Sequence, residues 1–151
     1  MKNFTYLKTL FLTLFVSALL FSCSDEDDDT SVDDVVDPLD TQANLLNGSW
    51  VVKDANSVTK DGIVVNVFTA MSLTFSGGSA SGGAYATLNS DSNEVWPGSG
   101  TWQFQSGSSA ALLRSDGVVI SISVTETTLR TTFSTSGGIK DGNWVFDFVK
   151  Q

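Results

Sequence analysis

From Gly48 to Lys150 the chain alternates apolar and polar side chains with a period of two, in short runs separated by turn residues. A period of two is the mark of a strand with one buried face. Trp50 and Val52 share one face, with Val51 and Lys53 on the other. Ile63 to Phe68 is a β-branched run. Met71, Leu73 and Phe75 alternate with Ser72 and Thr74, and Gly77-Gly78 reads as the turn that follows. Ala84 to Leu88 carries Tyr85. Thr101 to Gln105 sets Trp102 and Phe104 on one face. Ala110 to Arg114 leads to Asp116-Gly117, a dipeptide that favours a type I′ hairpin turn. Val118, Ile120, Ile122 and Val124 share a face, as do Leu129, Thr131 and Phe133. Gly137-Gly138 and Asp141-Gly142 mark a further turn before Trp144, Phe146 and Phe148. Only Thr41 to Leu46 has room for a helical turn. All 13 glycines lie after Asn47, so glycine punctuates this region alone. Eight or nine half-apolar strands with short links predict an all-β fold. It is either an antiparallel up-and-down barrel of about eight strands or a two-sheet sandwich, and the barrel is the expectation carried forward.

The first 40 residues follow a different pattern. Lys2 and Lys8 precede an uncharged stretch from Thr9 to Phe21, and Ser22 precedes Cys23, the single cysteine. A basic start, an apolar run and a small residue before a cleavage point make a secretory signal over residues 1–22. The run is short of the roughly 20 residues that a spanning helix needs. Plain secretion with a free thiol and an uncleaved signal anchor are the other readings. With one cysteine no intramolecular disulfide forms, so the domain must hold by burial.

Charge changes the picture again. Nine acids and no base lie between Cys23 and Asp40, whereas Thr41 to Gln151 holds eight acids against six bases. The net charge of −9 thus belongs mostly to residues 23–40. Like-charge repulsion and the absence of aromatics predict an acidic disordered tether there, ahead of one folded domain over 41–151. Asp25, Asp27 and Asp29 have the opening spacing of an EF-hand loop, but Thr30 stands where glycine is required and Val36 where the bidentate Glu belongs.

Much chemistry is excluded. There is no histidine, which removes Ser-His-Asp and Cys-His sites and the usual zinc ligands. Gly77-Gly78 and Gly82-Gly83 lie among strands and read as turns, not as a phosphate loop. Asp91 and Glu94 sit in a polar loop with nothing apolar beside Asp91 to raise a carboxyl pKa, so they read as solvated. The acidic balance argues against nucleic acid. No catalytic residue, metal site or cofactor is expected, and the chain does not read as an enzyme. Trp96, in Trp96-Pro97-Gly98-Ser99-Gly100, is a loop-contact candidate. It either stacks on a ligand at a rim or folds back to cap the core, and the average burial of large aromatics favours the second.

Two resemblances extend this reading. Leu20-Phe21-Ser22-Cys23 resembles the lipobox of bacterial lipoproteins, which implies that Cys23 is acylated and anchors the mature chain in the membrane. An acidic stretch directly after the cysteine is similar to the signal that, in some Gram-negative lineages, places lipoproteins on the outer face of the outer membrane. Residues 45–151 are similar to lipocalins and to lipocalin-like domains of bacterial lipoproteins. The similarity is carried by Leu45-Leu46-Asn47-Gly48-Ser49-Trp50, Gly100-Thr101-Trp102-Gln103-Phe104, Asp116-Gly117 with Val118 to Val124, Leu129, and Trp144-Val145-Phe146-Asp147-Phe148. Lipocalins pack a basic side chain of the last strand on the first Trp. Here the last strand offers Asp147 and Lys150, and Arg130 is the expected candidate for Trp50.

The resemblance implies non-covalent binding of a small apolar ligand against Trp50, Phe75, Trp102, Phe104 and Trp144. The plainer account of those aromatics is core packing. The alternative function is a structural or adhesive surface module with a filled core that binds protein or glycan through its loops. The oligomeric state is open.

Overall fold

A computed structural model of the chain describes residues 36–151. The predicted signal peptide, Cys23 and most of the tether lie outside the described residues.

The first element is a helix, α1 (Pro38–Leu46), longer than the single turn expected over Thr41 to Leu46. Asp37 caps it, its carboxylate accepting from the Leu39 N–H at 2.8 Å, and Pro38 occupies the first turn, where its missing N–H costs nothing. The Asp40 carboxylate accepts from the Ala80 N–H. Asp37 and Asp40, read as tether, are therefore part of the fold. Charge density alone does not separate a capping acid from a solvated one.

Ten strands follow: β1 (Gly48–Val52), β2 (Val58–Lys60), β3 (Ile63–Val64), β4 (Ser72–Ser79), β5 (Gly82–Leu88), β6 (Ser99–Phe104), β7 (Ala111–Arg114), β8 (Val119–Val124), β9 (Thr128–Thr135) and β10 (Gly142–Lys150). β4 to β10 form an antiparallel meander, and β1 lies between β4 and β10, closing a barrel. β2 continues the line of β1 along β10: Val52 stands opposite Phe148, and Val58 opposite Phe146. Lys53 to Ser57 bulge out between them, stitched to Asp147 through the Lys53 N–H and the Ser57 carbonyl. With β1 and β2 counted as one interrupted strand, the barrel has eight strands, as the alternation predicted. β3 is a two-residue flap on β2.

Several local expectations change. The run Ile63 to Phe68 is not one strand. After β3 the chain makes a 3-10 turn over Asn66–Phe68 that swings Phe68 into the core while Ile63 and Val67 stay exposed. Gly77-Gly78 is not the hairpin turn but an irregularity inside β4, and the chain reverses at Ala80 and Ser81. Gly82 then runs so close to the Trp102 carbonyl that no Cβ fits. The Asp116-Gly117 turn is not type I′, which needs two residues at positive φ. Only Gly117 has one, at +89°. The Gly117 N–H bonds the Arg114 carbonyl and the Arg114 N–H the Val118 carbonyl, the pattern of a type I turn followed by a glycine bulge.

The apolar faces meet as expected. Trp50, Leu73, Phe75, Tyr85, Trp102, Leu112, Ile120, Leu129, Phe133, Trp144, Phe146 and Phe148 are all buried in one core. Lys150, not Arg130, packs on Trp50, with its ammonium 5.0 Å from the ring centroid. Arg130 points outward from β9 and pairs with Asp147 on β10, directly opposite, at 2.6 Å. Residues directly opposite on one face of a sheet meet, and that pairing takes Arg130 away from the barrel base.

Candidate functional site

The predicted ligand-lining aromatics are all buried, but only Phe75, Trp102 and Phe104 pack against one another; Trp144 packs on Phe68 and Phe146, and Trp50 meets Lys150 at the base. Phe75 and Trp102 meet edge to face at 6.0 Å, Trp102 and Phe104 at 5.2 Å, and Trp144 lies 6.0 Å from Phe146. The Trp50 indole N–H donates to the Leu46 carbonyl at 2.8 Å, tying the barrel base to the end of α1. Exposure is 0% for Trp50, 2% for Phe75, 4% for Trp102, 8% for Phe104 and 1% for Trp144. A water-filled chamber would leave its walls accessible to water. These walls are not, so they have the contacts of a packed interior.

Two segments seal the end of the barrel opposite α1. Phe68 inserts edge-on against Trp144 at 5.5 Å and Phe146 at 5.3 Å. Trp96 inserts against Phe133 at 5.3 Å and Tyr85 at 5.9 Å and is fully buried. The loop-contact role for Trp96 is thereby corrected. Its ring is a plug, because the loop before β6 turns it inward toward three aromatic neighbours, Tyr85, Phe133 and Phe146.

Beneath Trp96 lies Arg114, a charged residue that is 1% exposed. Its guanidinium sits 5.1 Å from the Trp96 ring and 5.5 Å from Phe133. It donates to the Val95 carbonyl at 2.9 Å, fixing the plug loop, and to both oxygens of Asp116 at 2.9 and 2.7 Å. Those hydrogen bonds hold the Asp116 carboxyl below its ordinary pKa. The position of Arg114 was legible in principle: Leu112 and Arg114 share a strand face. A charged residue at the end of an apolar face reads as a rim residue until its partners are known.

At this sealed rim the surface opens into a groove of about 690 Å³, bounded by β8, β9 and the Glu94 loop. Its walls include Val119, Ser121, Thr132 and Ser134, with Glu94 and Asp116 at the rim end. A smaller hollow of about 220 Å³, lined by Glu94, Ser136 and Asp141, lies beside it. A second groove, about 540 Å³, runs between β6 and β7 and is lined by Gly83, Thr101, Gln103, Leu113 and Ser115.

Asp91 and Glu94 do not form a carboxylate pair. Asp91 pairs with the Lys140 ammonium at 3.3 Å, and Glu94 accepts the Lys140 backbone N–H at 3.0 Å. Among the described residues no group of three acids or other ligating side chains is placed to hold a metal, and no helix is long and apolar enough to cross a membrane.

The closed barrel, its packed interior and its rim groove are thus described by geometry alone: no protein-family model matches this chain, and neither does any curated protein sequence or any solved structure.

Proposed function

We propose that the chain is a lipid-anchored cell-envelope protein, held by acylated Cys23 and exposed at the surface of the outer membrane. Its barrel is a filled display module that binds a partner through its rim and surface grooves, without catalysis. The observation that carries this reading is the packed interior, with both Phe68 and Trp96 seated in the mouth. A carrier of small apolar ligands needs a chamber of about 300 Å³ or more lined by its apolar residues. The grooves of this barrel lie outside, and hydroxyls and carboxylates dominate their walls.

The lipocalin-like reading of residues 45–151 draws support from Lys150 on Trp50, the contact that resemblance leads one to look for. It draws further support from a helix that leads directly into Gly48-Ser49-Trp50.

The test has two parts. Full-length protein in detergent, titrated with an apolar fluorescent dye such as N-phenyl-1-naphthylamine against empty micelles, is expected to show no saturable uptake. Native mass spectra are expected to show the acylated polypeptide mass alone. Saturable one-to-one uptake would return the carrier reading. Separately, Cys23→Ala is expected to release the protein from the membrane fraction, and unchanged attachment would remove the anchor from the proposal.

A further inference from the structure

We propose that the groove between β8 and β9 takes an extended peptide segment of a partner protein, with a basic side chain at its rim end. This deepens the filled-module reading, since it names the partner chemistry of the rim. The β8–β9 ladder runs from Val124 opposite Leu129 to Ser121 opposite Thr132 and stops there. Both strands go on: β8 begins at Val119 and β9 reaches Thr135. Each remains paired on its far side. Val119 stands opposite Leu113 of β7, and Phe133 to Thr135 stand opposite Trp144 to Gly142 of β10. The barrel is split along this one seam, at its rim end.

The seam exposes backbone. Along a strand, successive residues turn their N–H and C=O toward opposite neighbours. On β8 the Val118 carbonyl and the Ile122 N–H bond to Arg114 and Ala110, on the β7 side. Val119 and Ser121 therefore aim at β9. On β9 the Thr128 carbonyl accepts from Thr125, on the β8 side, so Thr132 and Ser134 aim at β8. Ser121 and Thr132 meet, but the ladder stops short of Val119 and Ser134. Two strand edges bordering a groove of about 690 Å³ make a template for strand addition. About three residues of extended chain, roughly 10 Å, match the split length.

Charge selects the occupant. Glu94 and Asp116 stand at the rim end, and neither Lys nor Arg lines the groove. Asp116 is matched by Arg114, but no ion pair among the described residues matches Glu94. An incoming Lys or Arg supplies the missing charge. Residues 25–34 of the chain hold seven acids and no base, and a second copy carries the same net −9, so neither offers the complementary charge.

The experiment irradiates the full chain, extracted in mild detergent, with the photoprobe acetyl-Thr-Val-benzoylphenylalanine-Val-Thr-Lys. Labelled residues are located by mass spectrometry. Labelling confined to Val118–Ser121 and Thr132–Ser136 is expected, at least fivefold above that by the same probe ending in Glu. Val119→Pro removes an N–H that faces the seam and none from the β7 ladder, and is expected to cut labelling at least fivefold. Glu94→Gln, an exposed change, is expected to bring the Lys and Glu probes within twofold and remains decisive if the proline variant fails to fold. Labelling spread over the outer face, or equal for both probes, overturns the proposal. Amide exchange of Val119 and Ser134 in the free chain is expected to be much faster than that of Ser121 and Thr132. Equal, slow exchange means that the seam is closed or already filled by this chain, and overturns it too. Uptake of the apolar dye would sink the filled-barrel reading alone, since the labelling pattern reports on the seam independently.

Discussion

Thr131 is fully buried on the inner face of β9, and its hydroxyl has no hydrogen-bond partner in the described structure. A buried, unpaired hydroxyl costs about 1–3 kcal/mol, and valine keeps nearly the same shape without it. Thr131→Val is expected to stabilise the domain by about 1 kcal/mol, read as a rise of several degrees in Tm; an unchanged or lower Tm means the hydroxyl is satisfied. Lys150 is the opposite case. Its ammonium lies over Trp50 and donates to the Leu45 carbonyl at 3.3 Å, where a cation also complements the end of a helix with no basic residue in its own last turn. Lys150→Met is expected to cost about 1–2 kcal/mol in denaturant unfolding. The exposed Arg130–Asp147 pair is screened by solvent, so Arg130→Gln is expected to cost less than about 1 kcal/mol. The reverse order would show that Lys150 does not hold the base.

At the scale of elements, α1 belongs to the barrel although it opens on acids that read as tether. The Asp37 cap closes its first turn, the Asp40 contact to Ala80 ties it to the β4–β5 hairpin, and the Asn47 side-chain carbonyl accepts from the Gly78 N–H at 3.0 Å. A chain beginning at Thr41 loses the cap and the Asp40 bond. It is expected to unfold about 2 kcal/mol more easily than one beginning at Val36. Equal urea midpoints would show that α1 is dispensable. The strands themselves were legible because each presents one apolar face. Gly77-Gly78, Ile63 to Phe68 and Asp116-Gly117 were misread for a shared reason: glycine and β-branched residues report local freedom. Whether that freedom becomes a bulge, a plug or a turn depends on the neighbouring strand.

For the whole molecule, pH dependence follows from three groups. The Arg114 hydrogen bonds lower the Asp116 pKa, and the Ser57 hydroxyl and Asn56 N–H lower that of Asp54. A carboxyl with a depressed folded pKa contributes stability above its unfolded value, near 4, and loses it as pH falls through the folded value. Burial raises the Tyr85 pKa, so its contribution is present below about pH 10 and lost as pH rises further. With no histidine in the chain, Tm is expected to stay nearly flat from about pH 5 to 9 and to fall on both sides. Asp116→Asn is expected to lower Tm in the flat region, because it strands a buried guanidinium, at a cost of about 2 kcal/mol after allowing for Asp116's partial exposure. It is also expected to flatten the acid limb. A steep Tm change between pH 6 and 7 would contradict this account.

By itself the chain determined the all-β class, the strand count to within one and nearly every inward-facing residue, because alternation is written locally, residue by residue. Only the tertiary structure decided that the interior is filled, that Lys150 rather than Arg130 meets Trp50, that Trp96 and Phe68 are plugs, and that β8 and β9 part at the rim. Those outcomes depend on which side chains arrive at the same place from distant points in the chain. Volume filling and strand register are properties of such meetings, and a one-dimensional pattern of polarity does not carry them.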